Sequence, residues 1–299
     1  MSDFIAAYLF LGGTGAGAFL CAVLLRALSH SRQADFCDAK YLVAETKRVF
    51  ALSFLFVSVG CLCLLIDLGR PEQALLLFLN PTLSYISIGS FCLAALLAIT
   101  LAVLALDSVV SKAKIKIQGI LLILGSLCAL YIMAYTGLLL MLADGVDLWA
   151  SPALVFLFFV SSLSGGLVLT SLVLGAHPMR TKLAANIKMH SLKLSVVLAV
   201  IEVAVCVLHL WFVSHTKLGA QCVGTLLSGS LSVMFLGGFL VCGIILPIIF
   251  DTYTLRVCKK RATYSASSSL NALTSLFVLV GGFLLRLALI RGGVFFVIS

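Results

Sequence analysis

Charge is what this sequence has least of. Asp, Glu, Lys and Arg make up 10% of its 299 residues, against about 25% in an ordinary soluble domain. So few charges cannot cover a water-facing surface of that size, which excludes a soluble globular chain. With 62% hydrophobic residues and a mean hydropathy of +1.22, the solvent is the lipid bilayer. Alternation of polar and apolar residues is missing too. That excludes a transmembrane barrel, whose strands alternate over about 10 residues. The apolar runs are continuous and about 20 residues long, the length that carries an α-helix across the hydrocarbon core. No C-x-x-C pair occurs among the ten cysteines, so neither a zinc site nor an iron–sulfur cluster is indicated in this chain. Cys21, Cys61, Cys63, Cys92, Cys128, Cys206 and Cys242 fall inside apolar runs, where they read as small lipid-compatible side chains. Facing histidines at one depth are missing as well. His30, His177 and His190 lie in or beside the basic connections, and only His209 falls well inside a run, with His215 at its end. No haem is therefore expected.

The runs predict an all-α integral membrane protein. Its eight transmembrane helices fall at roughly 4–28, 48–67, 83–106, 118–142, 152–175, 194–214, 225–250 and 270–290. Proline is scarce, and Pro71, Pro81, Pro152, Pro178 and Pro247 are all expected at span ends or in connections. Met1-Ser2-Asp3-Phe4 puts no basic region before the first run, so that run is expected to be a retained helix. The net charge of +9 does not point to nucleic acid, because the basic residues crowd into short connections. The first, third, fifth and seventh connections, from Arg32 and Lys40 through to Arg261, hold 15 of the 20 Lys and Arg. By the positive-inside rule those connections are cytoplasmic and both termini lie on the outer face. A faint similarity links Tyr8-Leu-Phe-Leu-Gly-Gly-Thr-Gly-Ala-Gly17 with Phe156-Leu-Phe-Phe-Val-Ser-Ser-Leu-Ser-Gly-Gly166. It fits a single domain, 1–299, built of two parallel four-helix halves, 1–149 and 150–299. It equally fits chance likeness among apolar helices.

Several residues could carry chemistry. Gly12, Gly13, Gly15 and Gly17 crowd the outer half of span one. They serve close helix packing or leave room for a flat ligand. Asp67-Leu-Gly-Arg-Pro-Glu72 concentrates charge at the outer end of span two, either as a local ion pair around Arg70 or as part of a site. Asp67 still falls in the apolar register, where an ionised group is costly unless paired. Tyr131 and Tyr135 share one face of span four. Tyr135, followed by Thr136, can donate its hydroxyl to a carbonyl ligand. Asp144, Asp147 and Trp149 follow as an interfacial cap or docking surface. In span six, Glu202 and His209 lie seven residues apart and so on one face, about 10 Å from each other. They suit interhelical hydrogen bonds or a proton path. Arg286, near the outer end of span eight, either snorkels to the headgroups or neutralises Asp67 or Glu202.

The motif Tyr8-Leu-Phe-Leu-Gly-Gly-Thr-Gly-Ala-Gly-Ala18, Asp67-Leu-Gly-Arg-Pro-Glu72, Tyr135-Thr-Gly-Leu-Leu139 and Leu284-Leu-Arg-Leu-Ala-Leu-Ile-Arg-Gly-Gly293 together resemble the NrfD family. These are the membrane subunits of polysulfide, thiosulfate, tetrathionate, nitrite and related reductases. The resemblance spans the chain, and the Asp-Leu-Gly-Arg-Pro segment is its most specific part. It implies a chain in a bacterial or archaeal cytoplasmic membrane that holds no redox cofactor of its own. Menaquinone or ubiquinone would bind as substrate near the outer face. Electrons would pass between it and a four-cluster, ferredoxin-like iron–sulfur subunit docked there, which serves a molybdopterin catalytic subunit. By motif, Tyr135 and the Asp67 to Glu72 segment would border the headgroup. Some members also use a histidine and an asparagine near the N-terminus, and neither occurs in the first 28 residues here.

Chemically, a quinol site needs an apolar slot, a hydrogen-bond donor and a proton acceptor connected to water. Tyr135 suits the donor role, with Asp67 or His209 the acceptor. The glycines Gly12, Gly13 and Gly15, with Asp67, Arg70, Tyr135 and Thr136, form the expected quinone-binding set. Glu202, His209 and Arg286 form the expected proton path. Two other readings are a secondary transporter and a structural anchor without quinone reactivity.

Overall fold

A computed structural model describes residues 3–29, 36–67, 84–107, 113–143, 145–176, 182–261 and 268–293. Among the described residues every regular element is helical. In chain order these are α1 (Asp3–Ser29), α2 (Phe36–Asp67), α3 (Tyr85–Leu106), α4 (Ala113–Met141), α5 (Pro152–Ala176), α6 (Lys182–Val213) and α7 (Lys217–Leu227). Then comes α8, π-helical over Val233–Ile245 and α-helical over Leu246–Arg261, and finally α9 (Ser268–Arg291). All but α7 are long and apolar enough to cross a membrane, which gives eight spans among the described residues. The chain is a multi-pass membrane protein.

Three spans differ from the hydropathy reading. Both α2 and α6 begin about a dozen residues before their apolar runs, at Phe36 and Lys182. Helix propagation costs little once the lipid-embedded part has formed. The polar extension also carries its own contacts, such as the Arg48 guanidinium donating to Glu45 at 2.7 Å. The expected seventh run, 225–250, is in fact split. The Thr216 hydroxyl accepts from the Gly219 amide at 3.1 Å and so caps the start of α7. That helix ends at Leu227, and the span proper starts at Val233. Pro247 is thus not at a span end but inside α8. It sits where winding changes from π to α, and Leu246 N–H still reaches back five residues to the Val241 carbonyl. A residue without an N–H fits at such a change of register.

The two ends of the described chain are neighbours. The Arg291 guanidinium donates to both carboxylate oxygens of Asp3, at 3.1 and 2.6 Å. The face that holds them is called the terminal face below, and the opposite one the basic face. Near the basic face Arg26 pairs with Asp107 at 2.5 Å, and Gln118 donates to the same carboxylate at 3.0 Å.

The helices at the centre are α1 and α5. In the most apolar stretch of each, 72% of residues are buried, against 22% in α4. They meet backbone to backbone. A Cβ on Gly17 would run into the Ser162 carbonyl, and one on Gly166 into the Gly17 backbone. Small residues at such a crossing give the van der Waals contact that drives helix association in lipid, where no hydrophobic force acts between helices. In the same way α8 and α9 touch at Gly243 and Gly281.

Candidate functional site

Two buried polar groups lie one to four turns beneath the terminal face. The first is a pair of buried tyrosines, Tyr8 and Tyr135, where α1, α2, α3 and α4 meet. Tyr8 is 1% exposed, and its hydroxyl has no hydrogen-bond partner among the described residues. Tyr135 and Cys61 lie close enough to act on it electrostatically. The Tyr135 ring is stacked on Tyr131, with centroids 6.0 Å apart at 15°, and lies flat on Gly89, where a Cβ would strike it. Gly60 lets α2 close on α1 at Gly12, whose amide a Cβ at position 60 would approach to 3.2 Å. Asp67 ends α2 and is half-buried. It lies seven residues beyond Gly60, on the same face and about 10 Å nearer the surface. Arg70, Glu72 and Asp144 fall outside the described residues.

The expected quinone-binding set is thus brought together only in part. A Cβ on Gly12 would meet nothing nearer than the ring of Tyr8, at 3.5 Å. The space at Gly13 is taken by the Ser162 side chain and that at Gly15 by Val57, so both serve helix contact. The Thr136 hydroxyl donates to its own helix at Met133 O, 2.9 Å. Trp149 is fully buried and donates to the Leu289 carbonyl at 2.9 Å, so it is an internal plug.

The second group centres on Arg286. It does not snorkel, for it is 0% exposed. Its guanidinium donates to Ser161 at 3.1 Å, Ser162 at 2.9 Å and the Gly282 carbonyl at 2.9 Å. It also lies 5.6 Å from the ring centroid of Phe10 and 5.0 Å from that of Phe158, within cation–π range. Glu202, buried on α6, interacts with Ser161 and with the Arg286 charge. His209 lies two turns further along α6. It is 0% exposed, and neither ring nitrogen has a partner among the described residues.

Tyr8, Ser161 and Ser162 were not among the residues that motif and composition single out. The available signal was the pair of matched segments, since Tyr8 opens the first and the two serines sit inside the second.

The family model described as "Polysulphide reductase, NrfD" matches residues 3–298. The chain belongs to the NrfD family. NrfD proteins are membrane subunits of polysulfide reductase-like complexes, and they typically partner with other oxidoreductase subunits. Comparison with curated proteins gives no significant match.

Proposed function

We propose that this NrfD chain is the quinone-reactive subunit of an oxidoreductase complex. It exchanges electrons between menaquinone or ubiquinone in the membrane and an iron–sulfur subunit docked on the terminal face. The observation that carries this reading is the fully buried Tyr8 hydroxyl, without a partner among the described residues, beside Tyr135. A buried donor left unmade costs about 1–3 kcal/mol, a cost that a ligand carbonyl at this spot removes.

The proposed chemistry follows from the residues present. A quinone ring enters between α1 and α4 beside Gly12. Tyr8 and Tyr135 donate to its oxygens. In the oxidising direction the quinol gives two electrons to the partner's nearest cluster and its protons to Asp67, which stands between the tyrosines and water. In the reducing direction the same groups act in reverse. Glu202, His209 and Arg286 form a second polar file from the interior towards the terminal face, suited to proton movement. The location of 15 of the 20 basic residues supports a cytoplasmic basic face and an outer terminal face. The partners are then a four-cluster ferredoxin-like subunit and a molybdopterin subunit on the outside of a bacterial or archaeal cytoplasmic membrane.

Stopped-flow kinetics of the purified complex with a menaquinol analogue test this. Tyr135→Phe and Asp67→Asn should each slow quinol turnover by about tenfold or more, the worth of one hydrogen bond. Wild-type kinetics in both variants would remove the assignment.

A further inference from the structure

A third polar group lies away from the two described above, towards the basic face, where α5, α6, α8 and α9 meet. It borders a small, partly open cavity with room for roughly one water-sized particle. Asp251 of α8 lines it and is 4% exposed. A carboxylate at such depth in a span is costly unless its charge is met. The group that bonds it is a neutral one, the Ser195 hydroxyl.

The rest of the lining has a shared bias. A hydroxyl has one proton to give and two lone pairs to offer, and the protons here are already committed. Ser191 donates to the Lys188 carbonyl at 2.8 Å. Thr274 donates to Leu270 O and Ser275 to Asn271 O, each at 2.7 Å. Ser171 donates to the Asn271 side-chain oxygen at 3.2 Å, and the Asn271 amide returns a bond to Ser171 O at 3.1 Å. Beside the apolar Leu167, Val168 and Leu192, the lining offers the Asp251 carboxylate and several hydroxyl oxygens whose protons are already committed, that of Ser195 to Asp251 itself. Water, which needs acceptors and donors together, is served poorly by such a lining. A hard cation, which takes oxygen ligands only, is served well.

The charge and size select among cations. One carboxylate balances one positive charge, and a divalent ion would leave an uncompensated charge inside the membrane. The ammonium of Lys188, 3% exposed, lies near Asn271 across Gly175, which further disfavours a second positive charge. Lys188 is held by an interaction of its own and does not line the cavity. The elements α5 and α9 contribute no charged residue to the lining. Space for a single water-sized particle admits sodium or potassium alike, and the carboxylate, whose attraction grows as the ion comes closer, favours the smaller of the two, sodium.

We propose that Asp251, Ser195 and the surrounding hydroxyls form a sodium site. It is independent of the quinone reading, because it shares no residue with the tyrosine pair or the arginine cluster.

The test is equilibrium binding of radioactive sodium to the full chain, purified with its native partners in detergent at constant ionic strength. Saturable binding should appear, resist competition by potassium, and vanish in Asp251→Asn. It should weaken by about tenfold, the loss of one ligand, in Ser195→Ala and Thr274→Val, milder changes that keep the assay informative if Asp251→Asn does not fold. No saturable sodium binding, equal competition by potassium, or unchanged binding in the variants would each overturn the site. Quinol turnover is measured in parallel. Its loss without loss of sodium binding would count against the tyrosine pair alone.

Discussion

The tyrosine pair and the arginine cluster share α1 and lie beneath the same face, yet they are finished to different degrees. At Arg286 the terminal nitrogens are satisfied by Ser161, Ser162 and Gly282, aromatic rings cover the plane and Glu202 acts on the charge from α6, while Nε alone has no partner among the described residues. At Tyr8 the hydroxyl is as deeply buried but has no partner among the described residues. A buried group with most of its bonds made rigidifies a structure, whereas a buried hydroxyl with none made is a cost that folding alone does not explain. The difference suggests a division of labour. The arginine cluster holds α1, α5, α6 and α9 together, and the tyrosine pair waits for a ligand.

The largest expected effect breaks the arginine side. Arg286→Leu should destabilise the chain by about 3–5 kcal/mol, because it strands Glu202 in the interior without its opposite charge. Adding Glu202→Gln should recover much of that loss, since the stranded charge goes too. Unfolding midpoints in detergent measure both. If the single variant is as stable as wild type, the cluster does not hold the helices.

A smaller effect sharpens the other side. Tyr8→Phe removes a hydroxyl that contributes no bond to the fold, so stability should stay level or rise slightly. Quinol turnover should nevertheless fall by about tenfold. A clear loss of stability would mean the hydroxyl does have a structural partner. The smallest effect belongs to the exposed pair of Asp3 and Arg291. Arg291→Gln should leave both the unfolding midpoint and turnover unchanged, as exposed ion pairs usually do. A measurable shift in either would extend the functional surface to the ends of the chain.

Much of this was legible in the sequence. All eight spans follow from run length, because the bilayer sets a minimum number of apolar residues. The depth of Glu202 and His209 follows from counting along α6. What could not be read was partnership across helices. Arg286 looks like a headgroup anchor when only its own helix is considered, and its real partners are 124 and 125 residues away. The same holds for Gly13 and Gly15, whose open-looking spaces are filled by Ser162 and Val57. Asp251 was visible by the criterion that picked out Glu202, but the expected end of span seven at residue 250 put it just outside. Only the shift of that span to Val233–Val257 places it inside.

The crossing of α1 and α5 at Gly17 and Gly166 has a consequence for biosynthesis. The span α1 is among the most enclosed in the finished protein and the least hydropathic of the eight. Its crossing partner α5 meets it at Gly166, 149 residues further along the chain than Gly17. At about 5–20 residues per second, the ribosome needs roughly 10–30 s to supply it. By then α2 and α4 can pack against α1, at Val57 beside Gly15 and at Gly125 beside Phe19, but the face that carries Gly17 has only lipid or the insertion machinery to cover it until α5 arrives. The step most exposed to failure is therefore the wait before the second half arrives, rather than the entry of any span into lipid.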